Sequence, residues 1–152
     1  MQHSWCIHTG STPPKLKPSQ ANQMAAKGLR YHDRVYRELR KTKLVLHIEP
    51  WISCENTGKL CQPDAVALFN QASTAIVIEV KLNWRRRRDS KLKHLYLEAV
   101  QQAFRLEHVF PLMIVGNCRG MDRRPYRSAL EAMKASLNWH ESHPVPILLM
   151  PL

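Results

Sequence analysis

Two consecutive segments with alternating side chains constrain the fold of this chain more strongly than any other feature. Residues 62–69 and 74–81 both alternate, and the short polar stretch 70–73 lies between them. Because successive side chains of a strand point to opposite faces, Glu79 and Lys81 share one face of the second segment. The pattern predicts two neighbouring antiparallel strands joined by a polar turn. In a suitable register, this hairpin brings Asp64 next to Glu79.

The rest of the chain supplies helices and further short strands. Apolar residues at helical spacing predict helices over residues 22–43, 91–108 and 125–139, with Asn22 as the first N-cap. Apolar runs predict additional strands over residues 44–48, 51–54, 111–116 and 145–150. The resulting order, αβββαβαβ, predicts an α/β protein in which helices flank a central mixed β-sheet.

The beginning of the chain has a different character. Residues 1–20 contain prolines, glycine and serines without a helical or strand period, which predicts a flexible N-terminal arm. Trp5 and Ile7 are candidate anchors for docking this arm on the protein or on a ligand. Residues 21–152 are expected to form a single domain, because their number suits one hydrophobic core.

The charge balance indicates a polyanionic partner. The 152 residues include 23 lysines and arginines against 12 acidic residues, a formal net charge of +11. Such a field favours nucleic acid first and an anionic membrane second, but it assigns no activity. No apolar run approaches the ~20 residues that span a bilayer, and no secretory signal is recognisable, so a cytoplasmic protein without a membrane partner is expected. The irregularly spaced cysteines are expected to be reduced and inert: Cys6, Cys54, Cys61 and Cys118.

The residues that carry chemistry are Asp64, Glu79 and Lys81. Two converging carboxylates form a hard-oxygen site suited to Mg²⁺ or Mn²⁺. A lysine two residues after the second carboxylate could orient or deprotonate a metal-bound water, since a neighbouring cation lowers its pKa. In a basic protein, this combination outlines a site of phosphodiester hydrolysis. The plainer alternative is a surface ion pair between Glu79 and Lys81 at a strand end.

Pro63-Asp64 and Ile76-Val77-Ile78-Glu79-Val80-Lys81 resemble the motif of the PD-(D/E)XK nucleases. The resemblance covers residues 27–104, and the order of elements is similar to Holliday-junction resolvases and RecB-type nucleases. It implies a restriction-endonuclease-like core (αβββαβ) and a Mg²⁺- or Mn²⁺-dependent deoxyribonuclease, with endonuclease action favoured. It also implies that Asp64, Glu79 and the Val80 carbonyl bind the metal and that Lys81 is catalytic.

Two further residues take their roles from the same resemblance. His32 resembles the histidine metal ligand of the RecB-type branch, whereas archaeal-type resolvases carry a glutamate at that place on the first helix. A core-facing histidine satisfied by hydrogen bonds is the alternative. Gln101 resembles the glutamine of the RecB-type Q-x-x-x-Y motif, which implies a catalytic role. Position 105 is arginine rather than tyrosine, however, and Gln102 is an equal candidate.

The densest run of positive charge follows the second alternating segment. Its functional interpretation is a clamp that holds DNA phosphates without reading bases, and the alternative is a solvated loop. The tryptophan before the run could stack on a base or on a splayed end. The candidate nucleic-acid-binding residues are Trp84, Arg85, Arg86, Arg87, Arg88, Lys91 and Lys93.

Three functions are compatible with these features. The first is a metal-dependent DNA nuclease acting in repair, recombination or phage DNA processing, with structure-specific cleavage as one form. The second is a non-catalytic nucleic-acid-binding module on a nuclease-like fold, although the complete set of Asp64, Glu79 and Lys81 argues against it. The third is an interaction protein of a larger machine. DNA is the expected partner, and the chain is compatible with a homodimer or with a subunit of a DNA-processing complex.

Overall fold

Eight strands, arranged in two sheets, form the framework of the described chain. The computed structural model describes residues 3–11, 22–69 and 73–152. Within these ranges the strands are β1 Trp5–Ile7, β2 Val45–Ile48, β3 Ile52–Cys54, β4 Leu60–Cys61, β5 Ala65–Phe69, β6 Thr74–Asn83, β7 His108–Asn117 and β8 Ile147–Leu149. The larger sheet has the order β2-β5-β6-β7-β8, and the smaller one has the order β1-β3-β4.

The larger sheet is mixed, as the sequence predicts. Strands β2, β5 and β6 are antiparallel neighbours, whereas β6, β7 and β8 run parallel. The predicted pairing of the two alternating segments is confirmed, because Ala65 pairs with Ile78 and Phe69 with Thr74. Residues 70–72 of the predicted polar turn lie outside the described residues.

Three α-helices pack on this sheet within the described ranges: α1 Gln23–Arg40, α2 Leu97–Ala103 and α3 Ala129–Leu137. Helix α1 confirms the first predicted helix, and the side chain of Asn22 caps it by accepting a hydrogen bond from the Ala25 amide. A π-helical segment, Leu92–Tyr96, leads directly into α2. Such wide turns are rare and act like one extra residue in a helix.

The two faces of the larger sheet carry separate core layers. Residues from alternate positions of β6 enter each layer, as expected for a strand buried on both sides. One layer joins the sheet to α1 and α3 through Tyr31, Val35, Ile76, Ile78, Ile114 and Ala132. The other joins it to the π-helical segment, α2 and the small sheet through Trp5, Ile52, Val77, Leu92, Val100 and Met113.

The expectation of an arm without regular structure is wrong for Trp5–Ile7. These residues form β1, which pairs antiparallel with β3, and Trp5 is buried at 4% exposure. The Trp5 amide also donates a 2.9 Å hydrogen bond to the Gln102 side chain. Burial of the indole explains why so short a strand is held in place. Residues 12–20 of the predicted arm lie outside the described residues.

Two predicted helices are shorter than their apolar periodicity indicates. The second predicted helix ends at Ala103 instead of residue 108. It cannot continue because Arg105 adopts a left-handed backbone with φ 53° and because β7 begins at His108. The third begins at Ala129 instead of residue 125. Before it, Tyr126 forms a parallel bridge with Leu148 and therefore lengthens the sheet beyond β8.

Candidate active site

Asp64 and Glu79 lie close together where β5 begins. They are the next residue of each strand after the pair of Ala65 and Ile78. The two carboxyl groups are close enough for each to shift the pKa of the other. Glu79 is 7% exposed, and the side chain of Asp64 is 16% exposed. The two carboxyl groups that the sequence predicts to converge therefore lie close together in the structure.

The two carboxyl groups differ in charge state. Burial, followed by the nearby Asp64 carboxylate, raises the pKa of Glu79 to about 9. Burial also acts to raise the pKa of Asp64, but hydrogen bonds from His32 and Glu79 outweigh it, so the pKa of Asp64 is lowered. These shifts favour a single proton on the pair at neutral pH, held mainly by Glu79. The alternative of an ion pair between Glu79 and Lys81 has a contact in the structure, because Nζ lies 3.7 Å from Oε1, but Glu79 is buried rather than at the surface.

The backbone of Val80 holds the Asp64 side chain in place and offers its carbonyl as an acceptor beside it. The Val80 amide donates a 2.7 Å hydrogen bond to Asp64 Oδ2. The ladder between β5 and β6 ends at the pair of Ala65 and Ile78, so the Val80 carbonyl lies two residues beyond its last pair. The N–H and C=O of one strand residue point the same way, so this carbonyl faces the side where Asp64 lies. This is the acceptor that the family resemblance assigns to a metal.

His32 completes the cluster from α1. Its Nδ1 donates a 2.8 Å hydrogen bond to the Gly28 carbonyl one turn earlier, and its Nε2 lies 3.4 Å from Asp64 Oδ2. Burial lowers the pKa of His32, but the hydrogen bond to Asp64 more than offsets this and raises it overall. When neutral, the ring must keep its proton on Nδ1, so Nε2 offers a lone pair toward Asp64. This tautomer suits metal ligation.

The donor set fits a small divalent cation. Two carboxylates and a backbone carbonyl are hard oxygen donors, and an imidazole nitrogen is compatible with Mn²⁺ and, less favourably, with Mg²⁺. In the described part of the chain, no three His, Cys, Asp or Glu side chains already stand at ligand positions. Burial and the Asp64 carboxylate raise the pKa of Glu79, and a bound cation would favour the ionised form of both carboxyl groups.

Lys81 lies on the same face as Glu79, at the border between the cluster and solvent. Its Nζ is 3.7 Å from Glu79 Oε1, and its side chain is 34% exposed. Because it is both close to the carboxyl pair and reachable from outside, Lys81 can contact a substrate that approaches the cluster. This placement agrees with the predicted site.

A basic groove opens beside Lys81. Its volume is about 390 Å³, and it runs between the first turns of α1 and the ends of β6 and β7. The cations that line it are Lys27, Lys81, Arg85 and Arg88. Gly28 lies in its wall, where an added Cβ would meet no atom within 4 Å. Lys27 and Gly28 were not among the predicted site residues, although Gly28 precedes His32 by one helical turn on the same stripe.

The other predicted nucleic-acid-binding residues are distributed around this groove. Arg86 and Arg87 are exposed in the turn after β6 but do not line the groove, and Lys91 is exposed at the start of the following helical segment. Lys93 is half-buried. Trp84 is also half-buried and packs against the core layer next to α2. Its ring is therefore less accessible to a DNA base than the predicted stacking role requires.

The structure does not bring Gln101 to the carboxyl pair. Its Nε2 donates to the Glu107 carbonyl, and the Glu107 amide in turn bonds to the Ser73 carbonyl, just before β6 begins. Glu79 lies six residues beyond Ser73, about 20 Å away at the rise of a β-strand. Gln102 instead accepts from the Trp5 amide. A catalytic role for either glutamine stays a prediction without a supporting contact.

The cysteines form no disulfide in the described residues. Cys54 and Cys61 are buried, and Cys6 and Cys118 are partly buried. Hydrogen bonds from Thr57 and then His3 lower the pKa of Cys54 to about 6, which departs from the expectation of an inert thiol. Burial raises the pKa of Cys61 to about 11, in line with that expectation.

Comparison with known proteins adds no relative. Neither a protein-family model nor a curated protein matches the chain. Among the described residues, no helix has the length and apolar character needed to cross a bilayer. The case for a function therefore rests on the geometry of the site.

Proposed function

We propose that this protein is a Mg²⁺- or Mn²⁺-dependent deoxyribonuclease of the PD-(D/E)XK type that hydrolyses phosphodiester bonds. One observation carries the proposal: the carboxyl groups of Asp64 and Glu79 lie together in a largely buried pair, and Lys81 lies 3.7 Å from Glu79 and lines a basic groove. A carboxyl group whose pKa is raised by burial and by a charged neighbour, beside a cleft, is a candidate functional group.

The order and pairing of the strands support the finer fold assignment. An antiparallel β2-β5-β6 unit is followed by a crossover through α2 to the parallel strand β7. With α1 preceding them, these elements follow the αβββαβ order of a restriction-endonuclease-like core. We include that core in the proposal.

Each residue of the cluster has a distinct task in this reaction. A bound divalent ion would polarise the scissile phosphate and lower the pKa of an attacking water. Asp64, Glu79, His32 and the Val80 carbonyl would hold that ion. Lys81 would hold the attacking water or the phosphate oxygen by its ammonium hydrogens, and it would neutralise charge that develops on the phosphate.

DNA is the proposed substrate because the approach to the cluster is cationic. The chain carries a formal net charge of +11, and four of its cations line the groove beside the carboxyl pair. Phosphates held there release counterions, so binding should be tight at low salt and weak at high salt. The groove residues contact backbone rather than bases in this proposal.

The test is calorimetric titration with Mn²⁺ together with an assay of DNA cleavage. Asp64→Asn should abolish measurable Mn²⁺ binding and cleavage, whereas Asp33→Asn, an exposed aspartate on α1, should change neither. Equal Mn²⁺ binding by wild type and Asp64→Asn would overturn the metal site. Wild-type DNA binding without cleavage of linear, circular, single-stranded or branched DNA in either metal would favour the non-catalytic binding module.

A further inference from the structure

A second concave site lies at the edge of the larger sheet, beyond β8. This aromatic cleft has a volume of about 340 Å³ and is lined by Arg123, Tyr126, Trp139, His143 and two prolines. The size suits a single small ligand ring with its substituents. Tyr126 is 37% exposed, and the indole of Trp139 is fixed by a 2.9 Å hydrogen bond from Nε1 to the His143 carbonyl. The proposed hydrolysis makes no use of these residues.

The sheet places the aromatic cleft at a defined distance from Lys81. Lys81 pairs with Val115 of β7, Val115 pairs with Leu149 of β8, and Tyr126 forms its bridge with the adjoining Leu148. Three strand spacings therefore separate the strand of Lys81 from the segment of Tyr126, about 14 Å. A DNA strand covers that distance in about four stacked nucleotides, since the rise is 3.4 Å per nucleotide.

Two arginines connect the basic groove with the aromatic cleft. A small cavity of about 60 Å³ lies between them, beneath the turn that follows β6. Arg85 lines both the basic groove and this cavity, and Arg123 lines both the cavity and the aromatic cleft. One guanidinium nitrogen of Arg123 donates a 2.6 Å hydrogen bond to the Val145 carbonyl, which fixes the position of this cation. Arg85 and Arg123 thus link the basic groove to the aromatic cleft through this cavity, which Asp89 also lines.

We propose that the aromatic cleft binds an unpaired nucleotide of a DNA strand that leaves the basic groove. This inference rests on the proposed function and gives it a substrate class: DNA with a single-stranded segment a few nucleotides from the scissile phosphate. Aromatic faces stack on bases of any sequence, and a nearby guanidinium binds the adjoining phosphate. A paired base inside a duplex cannot enter such a cleft, because its faces are covered by its neighbours.

The experiment measures DNA binding without cleavage. Fluorescence anisotropy with Ca²⁺ compares a blunt duplex with the same duplex carrying a five-nucleotide 3′ or 5′ overhang. The wild type should prefer one overhang over the blunt end by about tenfold, in the range of a single base–aromatic stack. Tyr126→Ala should remove most of that preference and leave blunt-end affinity unchanged. Leu130→Ala, which removes a 63% exposed side chain from neighbouring α3, is the matched control and should keep the preference.

The outcomes separate this inference from the proposed nuclease activity. Trp139→Phe, which keeps an aromatic ring but removes the hydrogen bond to His143, should weaken the overhang preference without unfolding the protein. Equal wild-type affinity for blunt and overhanging DNA would overturn the inference while leaving Mn²⁺ binding and cleavage intact. An overhang preference that survives both Tyr126→Ala and Trp139→Phe would also overturn it. A preference that depends on Tyr126 in a protein that binds no Mn²⁺ would support the cleft and overturn the nuclease.

Discussion

The Val80 amide donates a 2.7 Å hydrogen bond to Asp64 Oδ2, just beyond the last pair of the ladder between β5 and β6. Pro63, the residue before Asp64, has no N–H with which the ladder could continue. The ladder stops where the carboxyl pair begins, and the Asp64 side chain accepts the hydrogen bond of the Val80 amide.

Replacing Pro63 with alanine should weaken metal binding without removing any side-chain ligand. The new N–H would allow the ladder to extend past Ala65 toward the Val80 carbonyl, where a backbone donor would compete with a cation at a cost near one ordinary hydrogen bond. We expect Mn²⁺ affinity to fall by about fivefold, measured by calorimetry. Pro50→Ala, a proline outside this ladder, should leave the affinity unchanged. Unchanged affinity in Pro63→Ala would remove the Val80 carbonyl from the ligand set.

The shared proton should make the metal-free protein less stable as the pH rises. Glu79 has a pKa of about 9 in the folded protein against 4.5 as the ordinary value, so folding takes up a proton between these limits. The free energy of unfolding should therefore fall through this window, by up to about 1 kcal/mol per pH unit from this group. The measurement is urea denaturation with chelator at several pH values.

Glu79→Gln should flatten this pH dependence, because the amide mimics the protonated acid and cannot titrate. His32, whose pKa is also raised, contributes stability at low pH that is lost as the pH rises through its folded pKa, so a smaller slope should remain. Glu38→Gln, at an exposed glutamate on α1, is the matched control. A wild-type slope preserved in Glu79→Gln would contradict the shared proton.

Lys81→Ala should separate catalysis from DNA binding. Loss of a group that holds the attacking water or the developing charge should reduce single-turnover cleavage at least ~100-fold. DNA affinity in Ca²⁺ should change far less, since Lys81 is one of 23 basic residues. Lys81→Arg should not restore the rate, because the guanidinium is broader and stays protonated. Lys43→Ala, at an exposed lysine after the far end of α1, should cleave normally, and near-normal cleavage by Lys81→Ala would exclude Lys81 from the mechanism.

Salt dependence should locate the DNA on the protein. Glutamine at all four positions 85–88 should lower the slope of log K against log salt by up to about three, since each lost phosphate contact contributes about 0.9. The control removes the same charge from the far end of α1 at Arg37, Arg40, Lys41 and Lys43, which are all exposed. Equal changes in the two variants would mean that residues 85–88 act only through net charge.

The central hairpin could be predicted because its signal is local. Strand alternation fixes which side chains share a face, and Asp64 and Glu79 are the residues next to the pair of Ala65 and Ile78. The family resemblance then placed His32 near them, and the structure puts its Nε2 3.4 Å from Asp64. The raised pKa of Glu79 could not be predicted from the sequence, because it depends on how deeply this carboxyl group is buried.

Features that depend on distant contacts could not be predicted. Strand β1 is only three residues long, and its pairing with β3 spans more than forty residues, so no periodicity marks it. The two glutamines of α2 are adjacent in sequence, and only the packed structure shows that one bonds to the Glu107 carbonyl and the other to Trp5. Likewise, the bridge from Tyr126 to Leu148 replaced the predicted start of α3.

The π-helical segment Leu92–Tyr96 gives the chain a place where its length can change. A π turn holds one residue more than an α turn, so deleting one residue here would let the helix continue as ordinary α-helix. The wide turn already absorbs the extra residue, so the side chains before and after it would keep their directions. We therefore expect a single-residue deletion in this segment to leave both the arginine-bearing turn and the sheet in place, whereas the same deletion inside α2 would rotate one part of the helix by about 100° relative to the other.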